Sequence, residues 1–152
     1  MSKIKNIALV AHDNRKKDLI EWVEYNHEKL LKHRLTCTGT TGKLVEDALL
    51  KHNPKIESIQ IKKLKSGPLG GDQQLGALIS EGKIDLLIFL WDPMQPQPHD
   101  VDVKALLRIA VLYNIPTANN RSSADFLISS SLFERDYKPE LKDYSSYIYR
   151  KV

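Results

Sequence analysis

Apolar residues fall along this chain in two alternating rhythms. Short runs recur at Asn6 to Ala11, Arg34 to Thr38, Ser58 to Ile61, Asp85 to Leu90 and Ile115 to Ala118, each bounded by turn residues, as strands are. Between them the period lengthens to that of a helix. Val103, Leu106, Leu107, Ala110 and Val111 trace an i, i+3, i+4, i+7, i+8 stripe, and Leu19, Ile20, Val23, Leu30 and Leu31 mark a second helix. Leu44, Val45, Ala48 and Leu49, then Leu75, Leu78 and Ile79, predict two shorter ones. Alternation of this kind builds a parallel sheet, and Leu86 to Leu90, apolar at every position, reads as a central strand covered on both faces. The expected fold is of the α/β class: a three-layer α/β/α sandwich around a five-stranded, mainly parallel sheet.

Composition narrows the picture. With 152 residues, 41% of them apolar, the chain fits one domain over residues 1–152 with an ordinary core. From Ser131 onward it turns polar and aromatic, with Tyr137, Tyr144, Tyr147 and Tyr149, so residues 131–152 are expected to dock as a tail on the domain or on a neighbouring subunit. The net charge is +4, but Lys and Arg are mixed with acids rather than clustered, which favours small anions over nucleic acid. No apolar run approaches the roughly 20 residues that span a bilayer, and MSKIKN lacks the apolar core of a secretion signal, so a cytoplasmic protein without membrane contact is expected. The one cysteine, Cys37, lies in a predicted strand and reads as packing rather than as a reactive thiol.

In open parallel sheets ligands bind beyond the carboxyl ends of the strands, so the residues just after each strand carry the information. Four such junctions are polar: AHDNRKK with His12, Asp13 and Lys16; TGTTG, Thr38 to Gly42; SGPLGGD, Ser66 to Asp72; and WDPMQPQPHDVDVK, Trp91 to Lys104. All seven glycines lie between Gly39 and Gly82, five of them in the second and third junctions. Glycine lets backbone N–H groups close on an anion and a following helix N-terminus adds its dipole, so either loop could cradle phosphate; Thr and Gly before a helix also serve as ordinary caps and turns. Neither loop matches the P-loop or the dinucleotide fingerprint, which leaves a small phosphate ester as the better ligand.

Acid–base groups come from the same loops: Asp72, Asp13, His12, Asp92, and His99 with Asp100 and Asp102. Asp72 and Asp102 can each be helix caps, and Asp92 before Pro93 can open a turn. His99 follows Pro93, Pro96 and Pro98, whose stiff backbone would fix its imidazole. His27, His33 and His52 read as structural or solvated. No pair of His or Cys has metal-ligand spacing, so no metal is expected.

Taken together, HD at His12 and Asp13, TGTTG, SGPLGGDQQLGALISEGKIDLLIF, WDP and PHDVDVKALLR resemble the methylglyoxal synthase family over nearly the whole chain. The resemblance implies a carbon–oxygen lyase that converts dihydroxyacetone phosphate into methylglyoxal and inorganic phosphate through an enediolate, without a cofactor. It further implies a homohexamer, with inorganic phosphate as product and inhibitor. It assigns Asp72 as the base and His99 as the hydrogen-bond donor to the enediolate oxygens, and places Asp102 with them. Lys16, Thr38, Gly39, Thr40, Thr41, Ser66 and Gly67 match phosphate-holding positions, with His12 beside them at the substrate, and Asp13 and Asp92 match supporting acids. The chain departs from the family at Val101, where many members have proline, and at Lys17, a second cation beside Lys16. A cation reaching a neighbour's site would be Arg150 or Lys151. The same fold resembles the allosteric domain of carbamoyl-phosphate synthetase and a purine-synthesis cyclohydrolase, so an effector-binding module is the rival expectation.

Overall fold

The computed structural model of the chain describes residues 4–96 and 100–150. Five strands, β1 (Asn6–Ala11), β2 (Arg34–Cys37), β3 (Ile61–Lys63), β4 (Leu86–Leu90) and β5 (Thr117–Ala118), form one sheet in the order β3-β2-β1-β4-β5. Every pairing is parallel. The helices are α1 (Lys16–Tyr25), α2 (His27–Leu30), α3 (Thr41–His52), α4 (Gly71–Ser80), α5 (Asp100–Leu112), α6 (Arg121–Ser129) and α7 (Ser145–Ile148).

Residue alternation along β1 builds two cores. Ile7, Leu9 and Ala11 join Leu19, Val23, Val45, Leu49, Ala124 and Ile128, so α1, α3 and α6 cover one face. Ala8 and Val10 join Leu75, Ile79, Val103, Leu106 and Ala110, so α4 and α5 cover the other. The three-layer sandwich follows from that division. All five residues of β4 are buried, as a doubly covered strand requires.

Several elements differ from the sequence expectation. The third strand sits at Ile61–Lys63 rather than Ser58 to Ile61: Ile59 and Ile61 supply the apolar signal against the core, but the ladder continues through two lysines on a sheet edge. The stripe from Leu19 to Leu31 is two helices, because the Asn26 side-chain amide donates to the Trp22 carbonyl at 2.9 Å and ends the first. Helix α6 was not expected, although Asn120 accepts from the Ser123 backbone N–H at 2.9 Å as an N-cap should. In the C-terminal segment Phe133 is buried in the first core and Lys5 Nζ donates to the Arg135 carbonyl at 2.6 Å, while α7 is exposed.

Cys37 is buried, and burial pushes its thiol up to about 12, so it packs as a small apolar group. His27 and His52 stack at 4.9 Å, with Asn53 Nδ2 3.0 Å from His27 Nδ1. His33 is buried; its Nδ1 accepts the Lys5 backbone N–H at 3.0 Å and its ring meets Phe133 edge-on at 4.7 Å.

Burial holds the His33 pKa below its ordinary value of 6.5. The unfolded chain therefore binds the extra proton first, so the stability tied to neutral His33 is complete above pH 6.5 and is lost as pH falls toward the folded-state value. Urea titrations from about pH 7 to about pH 5 should show stability falling, by at most about 1.4 kcal/mol per pH unit from this group. His33→Asn, whose amide oxygen can still accept the Lys5 N–H, should flatten that slope.

Candidate active site

The carboxyl ends of β1, β2 and β3 converge on one cavity of about 290 Å³, which the residues after each strand line. That volume lies at the small end of ligand pockets and suits a compact molecule. Val10, Phe89 and Pro68 give it apolar walls; polar groups supply the rest.

Two loops form one side of it. Beyond the β2–β3 ladder the Leu64 N–H donates to the Cys37 carbonyl at 2.8 Å, and the Gly39 N–H to the Lys65 carbonyl at 3.1 Å, so the TGTTG segment is tied by backbone to the residues that lead into SGPLGGD. Gly39 has φ +55°, and a Cβ there would lie 3.1 Å from Ser66, which makes glycine the residue that fits. Thr40 occupies the N-cap of α3 but its hydroxyl makes no capping bond; it accepts Lys16 Nζ at 2.7 Å instead. The first N–H groups of α3 thus end at the cavity without a side-chain cap, beside buried Thr38 and Thr41.

Lys16 also donates to Asp13 Oδ1 at 2.7 Å, and this partner holds the exposed Asp13 carboxyl below its ordinary value. Asp72 is buried in the first turn of α4, where the helix dipole favours a carboxylate. It is not the cap: Gly70, at φ +107°, holds that position, and the Gly71 N–H donates to the Ser66 carbonyl at 2.8 Å. The same helix start that shapes the Ser66–Gly67 turn therefore carries Asp72.

His12 is buried and lines the cavity at the end of β1; its Nδ1 accepts the Asp92 backbone N–H at 2.9 Å and its ring meets Phe89 edge-on at 5.4 Å.

The structure thus gathers His12, Asp13, Lys16, Thr38, Gly39, Thr40, Thr41, Ser66, Gly67 and Asp72 around one space. Asp92 is placed elsewhere. It lines a separate cavity of about 510 Å³ between the loop after β4 and α5. Its Oδ1 accepts the Met94 N–H at 2.9 Å and its Oδ2 accepts from Asn14 at 2.8 Å, and these bonds, the Met94 one first, hold its carboxyl below the ordinary value. Its turn-opening role is therefore the one the geometry displays. Asp102 lies within the first turn of α5, half-buried, and lines neither cavity. His99 lies outside the described residues. Val10, Phe89 and Pro68 carry no polar signal in the sequence, and nothing in the spacing of Asn14 displays its bond to Asp92.

Several known proteins similar to this chain share one name. Residues 18–119 match the family described as MGS-like domain. The methylglyoxal synthase of Maridesulfovibrio salexigens is 62% identical over 157 aligned positions, covering 100% of both chains. That of Hahella chejuensis is 54% identical, covering 98% of this chain and 92% of its own. The crystal structure of methylglyoxal synthase from Elizabethkingia anophelis superposes with a TM-score of 0.89 at 48% identity, covering 100% of this chain and 95% of the other. Among the described residues no helix is long and apolar enough to cross a membrane.

The two glycines of α4 separate close approach from helix propensity. A Cβ on Gly71 would collide with the Lys65 carbonyl oxygen, whereas one on Gly76 meets nothing within 4 Å. Urea unfolding of Gly71→Ala should show a loss of about 1–3 kcal/mol. Gly76→Ala should gain roughly 0.5–1 kcal/mol, because it lies in the same helix without the contact.

Proposed function

The chain belongs to the methylglyoxal synthase family, and from that premise we propose that it converts dihydroxyacetone phosphate into methylglyoxal and inorganic phosphate, with Asp72 as the base. One observation carries this reading: a buried carboxylate and a set of anion-binding loops share a single cavity of about 290 Å³. The phosphate group lies against Ser66, Gly67 and the start of α3, where N–H groups, hydroxyls and the Lys16 ammonium meet it. To bind there the substrate draws Lys16 from Asp13 or shares it.

Asp72 takes a proton from the hydroxymethyl carbon, and the electron pair left behind moves onto the carbonyl oxygen to give an enediolate. His12 donates to the oxygens of this intermediate, and His99, by family resemblance, donates with it. The hydroxyl on the deprotonated carbon then passes its proton to the enediolate oxygen, its own electron pair forms the aldehyde carbonyl, the carbon–carbon double bond shifts toward the phosphate-bearing carbon, and the carbon–oxygen bond there breaks, so that inorganic phosphate leaves. The resulting enol takes up a proton on its terminal carbon and gives up its hydroxyl proton to become methylglyoxal. No cofactor enters this sequence. Asp102 belongs to the same site by resemblance and would act through the His99 loop. Homohexameric assembly and inhibition by inorganic phosphate belong to the same proposal, phosphate competing for the loops that hold the ester.

Elimination requires the bond to phosphate to stand nearly perpendicular to the enediolate plane, whereas isomerisation keeps it in the plane. The grip of Lys16, Thr40 and Thr41 therefore selects the product, by holding the phosphate off that plane.

Asp72→Asn, close in shape but without the basic carboxylate, should cut release of methylglyoxal and phosphate by about 10²- to 10⁴-fold. Equal turnover in the variant, or a wild type that binds phosphate esters but releases neither product, would overturn the reading, the latter result in favour of an effector-binding module. Thr40→Ala removes the Lys16 hydrogen-bond acceptor and should slow elimination more than deprotonation. In heavy water its substrate should then gain deuterium faster than phosphate appears; equal losses of both rates would contradict a phosphate grip that selects the product.

A further inference from the structure

What His12 can do at the cavity depends on which ring nitrogen carries its proton. Because Nδ1 accepts the Asp92 backbone N–H at 2.9 Å, the proton belongs on Nε2 and the imidazole is neutral. That acceptor bond lasts only while the Asp92 peptide stays where it is. The Asp92 side chain is fastened from two directions, by the Met94 N–H at 2.9 Å and by Asn14 Nδ2 at 2.8 Å. Asn14 lies in the 3-10 turn Asp13–Arg15 that follows β1, two residues beyond His12. Asp92 lies two residues beyond the end of β4. Their bond therefore spans the two loops that part company at the carboxyl ends of β1 and β4. Asn14 and His12 hold Asp92 together, one by its carboxylate and the other by its backbone N–H.

We propose, on the reading of the cavity given above, that Asn14 is a positioning residue which keeps the Asp92 peptide on His12 Nδ1 and so holds His12 as a neutral Nε2–H donor at the site. Asn14 is exposed and absent from the cavity lining, so it acts through Asp92 and not on substrate. Its amide is required rather than its size. A carboxylate in its place would face the Asp92 carboxylate across 2.8 Å and force the loops apart.

The test compares the full chain with Asn14→Ala and Asn14→Asp, using methylglyoxal release and long-range proton–nitrogen spectra of the histidine rings. The His12 signals are assigned from their loss in His12→Asn. Wild type should show His12 as the Nε2–H tautomer. Asn14→Ala should show a tautomer mixture and lose about tenfold to a hundredfold in kcat/KM, and Asn14→Asp should lose more, both with melting temperatures close to wild type. A residue that merely shaped its turn would tolerate aspartate, which serves such turns equally well. Wild-type behaviour of Asn14→Asp, or unchanged ring signals in Asn14→Ala, would overturn the proposal. Should wild type release no methylglyoxal, the reading of the cavity falls, while the ring spectra still decide whether Asn14 governs His12.

Discussion

The chain reverses its direction of travel across the sheet. From β1 it steps outward to β2 and β3, then crosses back over to β4 and β5 on the far side of β1. A right-handed crossover places its helix on one face when the chain steps one way and on the opposite face when it steps the other. The connections through α1 and α3 therefore cover one face, and those through α4 and α5 the other. Between β1 and β4 neither set of connections crosses the carboxyl ends, and a crevice remains that no core side chain needs to fill. The cavity opens beside this place, over the ends of β1, β2 and β3 with Phe89 of β4 in its wall, so the course of the connections prepares its position before any polar residue is considered.

The polar residues then give the cavity the groups that an anion would need. A helix leaves its first N–H groups unbonded, and α3 directs them at the cavity without a capping side chain. The Thr40 hydroxyl that would ordinarily serve them is engaged by Lys16. Cation and uncapped helix start thus reinforce one another where a phosphate dianion would lie. Asp72, on the α4 side, brings its carboxyl group into the same small volume. A dianion and a carboxylate repel, so the donors opposite must offset that repulsion if both are to occupy it. Lys16 brings its charge from the start of α1, the backbone donors lie on the loops after β2 and β3, and the carboxyl of Asp72 stands at the start of α4, so the groups approach the cavity from separate elements.

How much of this could be read from the sequence depends on what burial does to a residue. β1 was legible to the residue, Asn6 to Ala11, because a strand buried on both faces has no polar interruptions, and β4 within one residue for the same reason. β3 was displaced because an edge strand keeps its ladder through Ile61, Lys62 and Lys63 while only one side of it meets the core. α6 went unread because it buries little more than Ala124 and Ile128, too short a stripe to register, although Asn120 signalled its start. Loop residues after the strands proved to share one cavity, since strand ends in a parallel sheet point the same way. Asp92 shows where that rule stops. Position after a strand brings a residue to the rim, but the direction of its side chain is fixed by local bonds to Met94 and Asn14, which no spacing displays.

An enediolate is short-lived and has two exits, so the enzyme's task after deprotonation is geometric. Whether phosphate leaves is decided by one torsion, and that torsion is set by where the phosphate subsite stands relative to the base. Here the two are joined through few bonds. The Ser66 carbonyl accepts the N–H of Gly71, the residue before Asp72, and the neighbouring Lys65 carbonyl accepts the Gly39 N–H of the second phosphate loop. The start of α4 and the two loops therefore share one backbone network, so that shifting either would break backbone hydrogen bonds rather than rotate a side chain. The glycine at position 71 is what permits that closeness, since any Cβ there would collide with the Lys65 carbonyl. His12 reaches the same space from the other side of the switch point, along β1, and its alignment is maintained separately through Asp92. On the proposed reading, two separate supports converge on one intermediate, one at the bond that breaks and the other at the oxygen that carries charge.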